Sequence, residues 1–310
     1  MTASSPLVTI GIPFLNSEDT LSFAIRSVFA QTLADWELIL IDDGSTDDSL
    51  EIAQAVEDPR VTVLSDGENR GISFRLNQIA RTARGKYVAR MDADDIMHPE
   101  RLALQVQYLE ANPNVDVVGS AAYTIDGGNN LTGVRSLEEL DLRPASVLSR
   151  GLFIHPSVTG RAAWFLDNPY DESFLGSEDH ELWRRTCETS TFGKLRRPLL
   201  FYRENSREPG QYLKHYLKAG QYERRKLRTY GPSIVGWSRT LRMMLQSYLK
   251  CEVYRAATLL GAQKALVNKR NSRLSHAEMT NAAMDLAAAI GATAPGLSAP
   301  LLFAGGSLRC

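Results

Sequence analysis

Short apolar runs alternate with amphipathic segments through the first 120 residues, and this alternation restricts the fold more than any other feature. The runs are Leu7 to Ile12, Trp36 to Ile41, Val61 to Leu64, Tyr87 to Met91 and Val115 to Ser120. Leu7 to Ile12, apolar but for Thr9, suits a strand buried on both faces. Between the runs Leu21, Ala24, Ile25 and Val28, then Leu50, Ala53 and Val56, then residues 72–83, then Leu102, Val106 and Leu109 fall at helical spacing. Strands separated by helices imply an α/β fold with a mainly parallel sheet and crossover helices. Asn16 stands where a helix cap is expected, with Asp19 three residues on. Gly85 stands where a left-handed cap would end the helix before the fourth strand.

Sheets of this kind gather ligands beyond the carboxyl ends of their strands. Three polar loops lie at such ends: Pro13 to Asn16, Asp42 to Asp48, and Asp92 to Asp95. The third sets Asp92, Asp94 and Asp95 within four residues. Three carboxylates so close repel one another unless a cation sits among them, and a hard divalent metal is the usual answer.

Composition narrows the class. The chain has 310 residues, 44% apolar and 23% charged, as an ordinary globular protein does. A formal net charge of -1 gives no pull toward nucleic acid. Cys187, Cys251 and Cys310 form no metal-ligand spacing and suit a reducing compartment. The start Met1 to Pro6 lacks a signal peptide's basic and apolar regions, and no run approaches the ~20 apolar residues of a spanning helix. A cytoplasmic location is expected.

Beyond residue 121 the rhythm changes. Asp126 to Asn130 reads as a turn, followed by a polar stretch to about Arg150. His155-Pro156, Glu178-Asp179 and a strand-like Pro198 to Arg203 come next, and then a helical pattern from about Glu204. Leu213 to Lys250 holds nine Lys or Arg against one acid, Glu223, with Tyr212, Tyr216, Tyr222, Tyr230 and Trp237 interleaved. His276 to Ile290 reads as a further helix.

Taken together, the motifs Val8-Thr9-Ile10-Gly11-Ile12-Pro13-Phe14-Leu15-Asn16, Ile41-Asp42-Asp43-Gly44-Ser45-Thr46-Asp47, Asn69-Arg70-Gly71-Ile72, Ala89-Arg90-Met91-Asp92-Ala93-Asp94-Asp95 and Glu178-Asp179 are ordered as in a known family. From about Leu7 to Arg203 the chain resembles the family 2 glycosyltransferases, inverting nucleotide-sugar enzymes of the GT-A fold. That resemblance implies a hexosyltransferase-type enzyme. It would move a sugar from a nucleoside-diphosphate donor, UDP-type by preference, to a hydroxyl of a glycan or lipid-linked acceptor in cell-envelope polysaccharide or glycolipid synthesis. It implies that residues 1–120 hold the donor, 121–205 the acceptor, and 206–310 a helical extension. Pro13, Phe14 and Asn16 would line the base and ribose, Asp42 or Asp43 would read the base, and Arg70 and Gly71 would flank the nucleotide. Asp92 would approach the ribose or diphosphate, Asp94 would bind Mg²⁺ or Mn²⁺, and Asp95 would support them. Asp179 would be the catalytic base, Glu178 its neighbour on the sugar, and His155 and Arg203 contacts to diphosphate or acceptor. In the commoner relatives an aromatic residue and Asp follow Glu-Asp, whereas this chain has His180 and Glu181.

Each feature also has a plainer reading. Asp42 to Asp48 suits a turn and N-cap, Glu178-Asp179 an acidic first helical turn, His155 a loop histidine and Arg203 a surface ion pair. The basic stretch 213–250 suits either a solvated helical face or docking on an anionic membrane. A non-catalytic nucleotide-sugar-binding subunit and a sugar nucleotidyltransferase are the alternative functions. The second wants a glycine-rich phosphate loop that the first strand lacks. No Gly-x-Gly-x-x-Gly follows an early strand, which disfavours a nicotinamide dehydrogenase.

Overall fold

The computed structural model describes residues 5–149, 151–174, 176–204, 209–260 and 271–298. Met1 to Ser4, the 205/206 boundary, Cys310 and the side chain of Tyr212 lie outside the described residues. Strands β1 (Val8–Phe14), β2 (Trp36–Asp42), β3 (Val61–Leu64) and β4 (Tyr87–Arg90) alternate with helices α1 (Leu21–Phe29), α2 (Ser49–Gln54) and α3 (Ile72–Thr82). Pairings β1–β2, β2–β3 and β1–β4 are all parallel, with Val8 opposite both Trp36 and Tyr87. Successive side chains on a strand point to opposite faces. Leu38 and Leu40 therefore pack in one layer with Leu21, Ala24, Ile25 and Val28 of α1, while Ile39 and Ile41 pack in the other with Leu76 and Ile79 of α3.

The chain continues through β5 (Ile96–Met97), α4 (Arg101–Ala111), β6 (Val117–Ile125), β7 (Leu131–Arg135), α5 (Pro144–Ser149), β8 (Thr159–Arg161), α6 (Ala162–Asp167), α7 (Glu178–Thr186) and β9 (Phe192–Arg203). The sheet is mixed, in the order β3-β2-β1-β4-β8-β6-β9-β5, with β7 on β6. The expected fifth strand runs on to Ile125, and the expected 198–203 strand begins at Phe192. Pairing between β6 and β9 extends both, a long-range effect that local hydrophobicity cannot register.

Two cap expectations are corrected. Helix α1 starts after Thr20, not Asn16. Asn16 sits in a left-handed conformation, φ 48°, and its Oδ1 accepts from the Thr46 N–H at 2.8 Å. Its cap chemistry thus serves the neighbouring loop instead of a helix. Helix α3 ends at Ala83 in an extended conformation, and Gly85 has no positive φ. Gly85 is there for closeness: a Cβ would stand 2.5 Å from the Thr9 backbone nitrogen, and its own N–H donates to Thr9 Oγ1.

Helices α8 (Pro209–Val235) and α9 (Trp237–Leu259) pack against each other, and α10 (His276–Gly291) returns to the core. A capping box between Ser275 and Glu278 starts α10. Its Ala282, Leu286 and Ala289 cover Ile96, Ile125 and Phe201. The basic stretch is not uniformly a solvated face. Lys226 is buried, Tyr216 stacks on Tyr254 at 3.8 Å, and Tyr230 bonds Glu181. Of its described aromatic residues, Trp237 and Tyr248 are markedly exposed.

Gly85→Ala is expected to destabilise the protein by about 1–3 kcal/mol through overpacking against backbone that has no rotamer to yield. A denaturant midpoint equal to that of wild type would contradict this close-approach account.

Candidate active site

The carboxyl ends of β1 and β4, the start of α7, the end of β9 and the inner faces of α8 and α9 surround one cleft of about 1580 Å³. Pro13, Phe14 and Asn16 line it from β1 and its loop. Asp92, Asp94, His155, Glu178, Asp179 and Arg203 line it too.

Asp42, Asp43, Arg70 and Gly71 are not part of the cleft wall. Asp42 accepts from the Ser45 N–H and the Ser65 hydroxyl. Asp43 accepts from the Arg70 and Gly71 N–H groups and from Arg75 Nε at 2.8 Å. These buried acids fold the second loop and tie it to the start of α3. The Arg70 side chain pairs outward with Asp66 and Glu68.

The acidic loop is held by two arginines. Arg90 grips Asp92 in a fork, Nη1 to Oδ2 at 2.9 Å and Nη2 to Oδ1 at 2.6 Å. Arg203 donates from Nε to the Asp94 carbonyl at 2.7 Å, and its backbone N–H donates to Asp95 Oδ1 at 2.9 Å. Its other nitrogens reach the Asp126 carbonyl and the Asn129 side chain, pinning the loop to the β6–β7 turn. Arg203 is therefore a brace of the acidic loop more than a surface ion pair. Arg90 went unassigned in the sequence, although a cation closing an apolar strand beside an acid was a signal.

Carboxylate oxygens of Asp92, Asp94 and Asp95 lie within 4.8 Å of one another. Asp95 Oδ2 is buried with no hydrogen-bond partner. Burial, then the charges of Asp94 and Asp92, push the Asp95 carboxyl well above its usual range. A hard divalent cation would relieve the repulsion and complete the oxygen set, so these residues fit one.

Across the cleft, α7 opens with Glu178 and Asp179 after Ser177. The plainer reading as an acidic first turn is correct as local structure, and the favourable helix dipole explains why acids are tolerated there. His155 Nε2 lies 2.9 Å from the Tyr170 hydroxyl, and its Nδ1 lies 3.9 Å from Glu178 Oε1. Burial keeps His155 neutral by lowering its pKa well below the ordinary value. Burial raises Glu178 to about 7, and the adjacent Asp179 adds to this. Burial also works against charge on Asp179, but the His180 backbone N–H and the Arg90 cation favour the anion, and the carboxyl titrates below its ordinary value. Two neighbouring acids share the burden unequally: Glu178 holds its proton up to about 7, and Asp179 is the anion.

Such a fold and site define a GT-A glycosyltransferase. The family model described as glycosyl transferase family 2 matches residues 9–172, more than half of the chain, and the chain belongs to that family. It is 33% identical over 212 residues to EpsE of Bacillus subtilis (strain 168), covering 66% of this chain and 75% of that one. It is 29% identical over 177 residues to the UDP-Glc:alpha-D-GlcNAc-diphosphoundecaprenol beta-1,3-glucosyltransferase WfgD of Escherichia coli, covering 57% and 68%. Among solved structures, the mannosyltransferase PcManGT from Pyrobaculum calidifontis, in complex with GDP-Man and Mn²⁺, superposes with a TM-score of 0.55 at 19% identity, covering 93% of this chain and 86% of that one. At that identity the likeness is one of fold.

The Glu178 assignment predicts a pH signature. In the folded chain the proton stays to about 7, whereas the unfolded chain releases it near the ordinary 4.5. Raising the pH through this window therefore removes stability, up to about 3 kcal/mol, against Asp179, Arg90, Asp92 and neutral His155 as neighbours. Glu178→Gln lacks this titration. Its melting temperature should gain on wild type more at pH 8 than at pH 5, and an equal difference at both would reassign the proton.

Proposed function

We propose that the chain is an inverting, metal-dependent glycosyltransferase that moves a hexosyl group from a nucleoside-diphosphate sugar, UDP-type by preference, to a hydroxyl of a glycan or lipid-linked acceptor. The observation that carries this is the shared cleft: clustered Asp92, Asp94 and Asp95 at one wall, and ionised Asp179 beside protonated Glu178 at another. Asp94, with Asp92 and Asp95 in support, would hold Mg²⁺ or Mn²⁺. When bound, such an ion supplies Lewis acidity toward phosphate oxygen.

The protein's own residues would do the rest. Pro13, Phe14 and Asn16 would seat the nucleotide. Arg90, fixed against Asp92, would keep positive charge near the departing diphosphate. Asp179 would take the proton of the acceptor hydroxyl as that oxygen attacks the anomeric carbon from the face opposite the leaving group, which inverts the centre. Glu178, carrying its proton, could donate a hydrogen bond to a sugar oxygen. In this reading 1–120 is the donor half and 121–205 the acceptor half, and the work belongs to cell-envelope glycan synthesis. That setting is supported by the activity for which WfgD is named.

Asp179→Asn should still be stabilised by nucleotide sugar with Mn²⁺ in a thermal-shift assay while losing transfer by about 10²–10⁴-fold. Wild-type-like transfer by this variant would remove Asp179 from the role of base. Asp94→Ala should abolish the Mn²⁺-dependent part of both binding and turnover, and chelation of wild type should mimic it.

Peripheral contact with an anionic membrane is part of the same proposal, now placed on α9. No helix among the described residues is long and apolar enough to cross a membrane. However, Trp237, Leu241, Leu245, Leu249 and Val253 recur every four residues on α9 and are all exposed, with Arg239 and Arg242 on the same helix. An apolar ridge with cations is the pattern of an interfacial helix. The protein should co-sediment with anionic vesicles at low salt and be released at high salt. Leu241→Glu with Leu245→Glu should remain in the supernatant, whereas unchanged sedimentation of that variant would move the contact elsewhere.

A further inference from the structure

His180 and Glu181, which follow Asp179 on α7, both find partners on α8. Lys226 Nζ lies 3.1 Å from His180 Nδ1, and the Tyr230 hydroxyl donates to Glu181 Oε1 at 3.1 Å. Lys226 and Tyr230 are four apart on α8 and so share a face. Glu181 also accepts from Arg185 Nε at 2.9 Å. The extension and the start of α7 are thus fitted to each other.

The Lys226 contact fixes the chemistry of the imidazole. An ammonium only donates, so Nδ1 must accept and the ring proton resides on Nε2. Burial, with the Lys226 cation adding to it, lowers the His180 pKa and keeps the ring in this neutral form. Gly151 stands beside that nitrogen: a Cβ there would lie 3.2 Å from Nε2. Glycine leaves the N–H approachable from the cleft, which both residues line. The donor is therefore held in a set orientation one residue from Asp179.

Farther along the same wall come Glu223, Lys250 and Tyr254. Glu223 accepts from the Ser247 hydroxyl at 2.9 Å, and Tyr254 is braced by Tyr216. Two cations, Lys226 and Lys250, face two carboxylates, Glu223 and Asp179. A wall so balanced does not select a free anion. It offers donors, acceptors and an aromatic ring, the mixture that suits a polyhydroxylated ligand.

Resting on the transferase reading above, we propose that the α8–α9 hairpin builds the acceptor subsite for a neutral sugar, and that His180 Nε2–H binds an acceptor oxygen and turns the attacking hydroxyl toward Asp179. Lys226 is a positioning residue that acts through His180.

The test uses the full chain with octyl glucoside and octyl N-acetylglucosaminide as probe acceptors, and measures donor hydrolysis by water separately. His180→Phe and Lys226→Met should each raise the acceptor KM at least tenfold while leaving donor KM within twofold. The double variant should be no worse than His180→Phe alone, because the lysine acts through the imidazole. His180→Gln, which keeps an N–H donor, should recover part of the loss. Wild-type acceptor KM in either single variant, or additive losses in the double variant, would overturn the inference. If burial of Lys226 makes its variant unstable by thermal melting, His180→Phe against His180→Gln decides alone, and equal acceptor KM values refute the donor role. A wild type that neither transfers nor hydrolyses any donor would instead overturn the transferase reading, and this inference with it.

Discussion

Mutual repulsion among carboxylates at the end of β4 is the constraint around which the cleft is built. Asp92, Asp94 and Asp95 cannot sit together without cations, and the fold supplies two that never leave: Arg90 from the strand itself and Arg203 from the end of β9. Arg203 connects segments more than a hundred residues apart, so the acidic loop takes its shape only when β9 has joined the sheet. The Asp95 oxygen left without a partner marks where a further positive charge fits. The shape of the acidic loop and the topology of the sheet are one problem here, because Arg203 takes part in both.

Opposite this wall, the same electrostatics is used in reverse. Glu178 and Asp179 are also adjacent acids, yet no arginine neutralises them fully. Their conflict is settled by protonating one member. Below about 7 the pair therefore holds one proton between a neutral acid and an anion. The start of a helix makes it tolerable, since N-terminal N–H groups favour the remaining charge.

The C-terminal helices change the picture of the molecule from a family domain with an appendage to a cleft with a third side. The family match ends at residue 172, before α7 begins. Helices α8 and α9, beyond that match, supply Lys226 to His180, Tyr230 to Glu181 and an inner face to the cleft. On the outer face of α9 the exposed apolar ridge points away from this packing. One helix therefore lines the site on its inner side and presents a surface on the other.

Strands β1 to β4, the helices between them, the acidic loop and the position of Glu178-Asp179 were all legible in the residues, because buried runs and helical spacing are local signals that tertiary packing reinforces. Enough ordered motifs were present for the family to be recognised as well. Tertiary structure alone decided which charges meet. Asn16 looked like a helix cap and became a brace for Thr46, and Gly85 looked like a helix stop and became a point of close approach. Asp42 and Asp43, read from the sequence only as a polar loop, are tied by hydrogen bonds to Ser45, Ser65, Arg70 and Arg75. Lys226 looked like one cation among nine and is buried against His180, 46 residues away. Each of these outcomes turns on a partner distant in the chain. Hydrogen bonds and ion pairs act over a few ångströms in space and carry no periodic trace in the residues between.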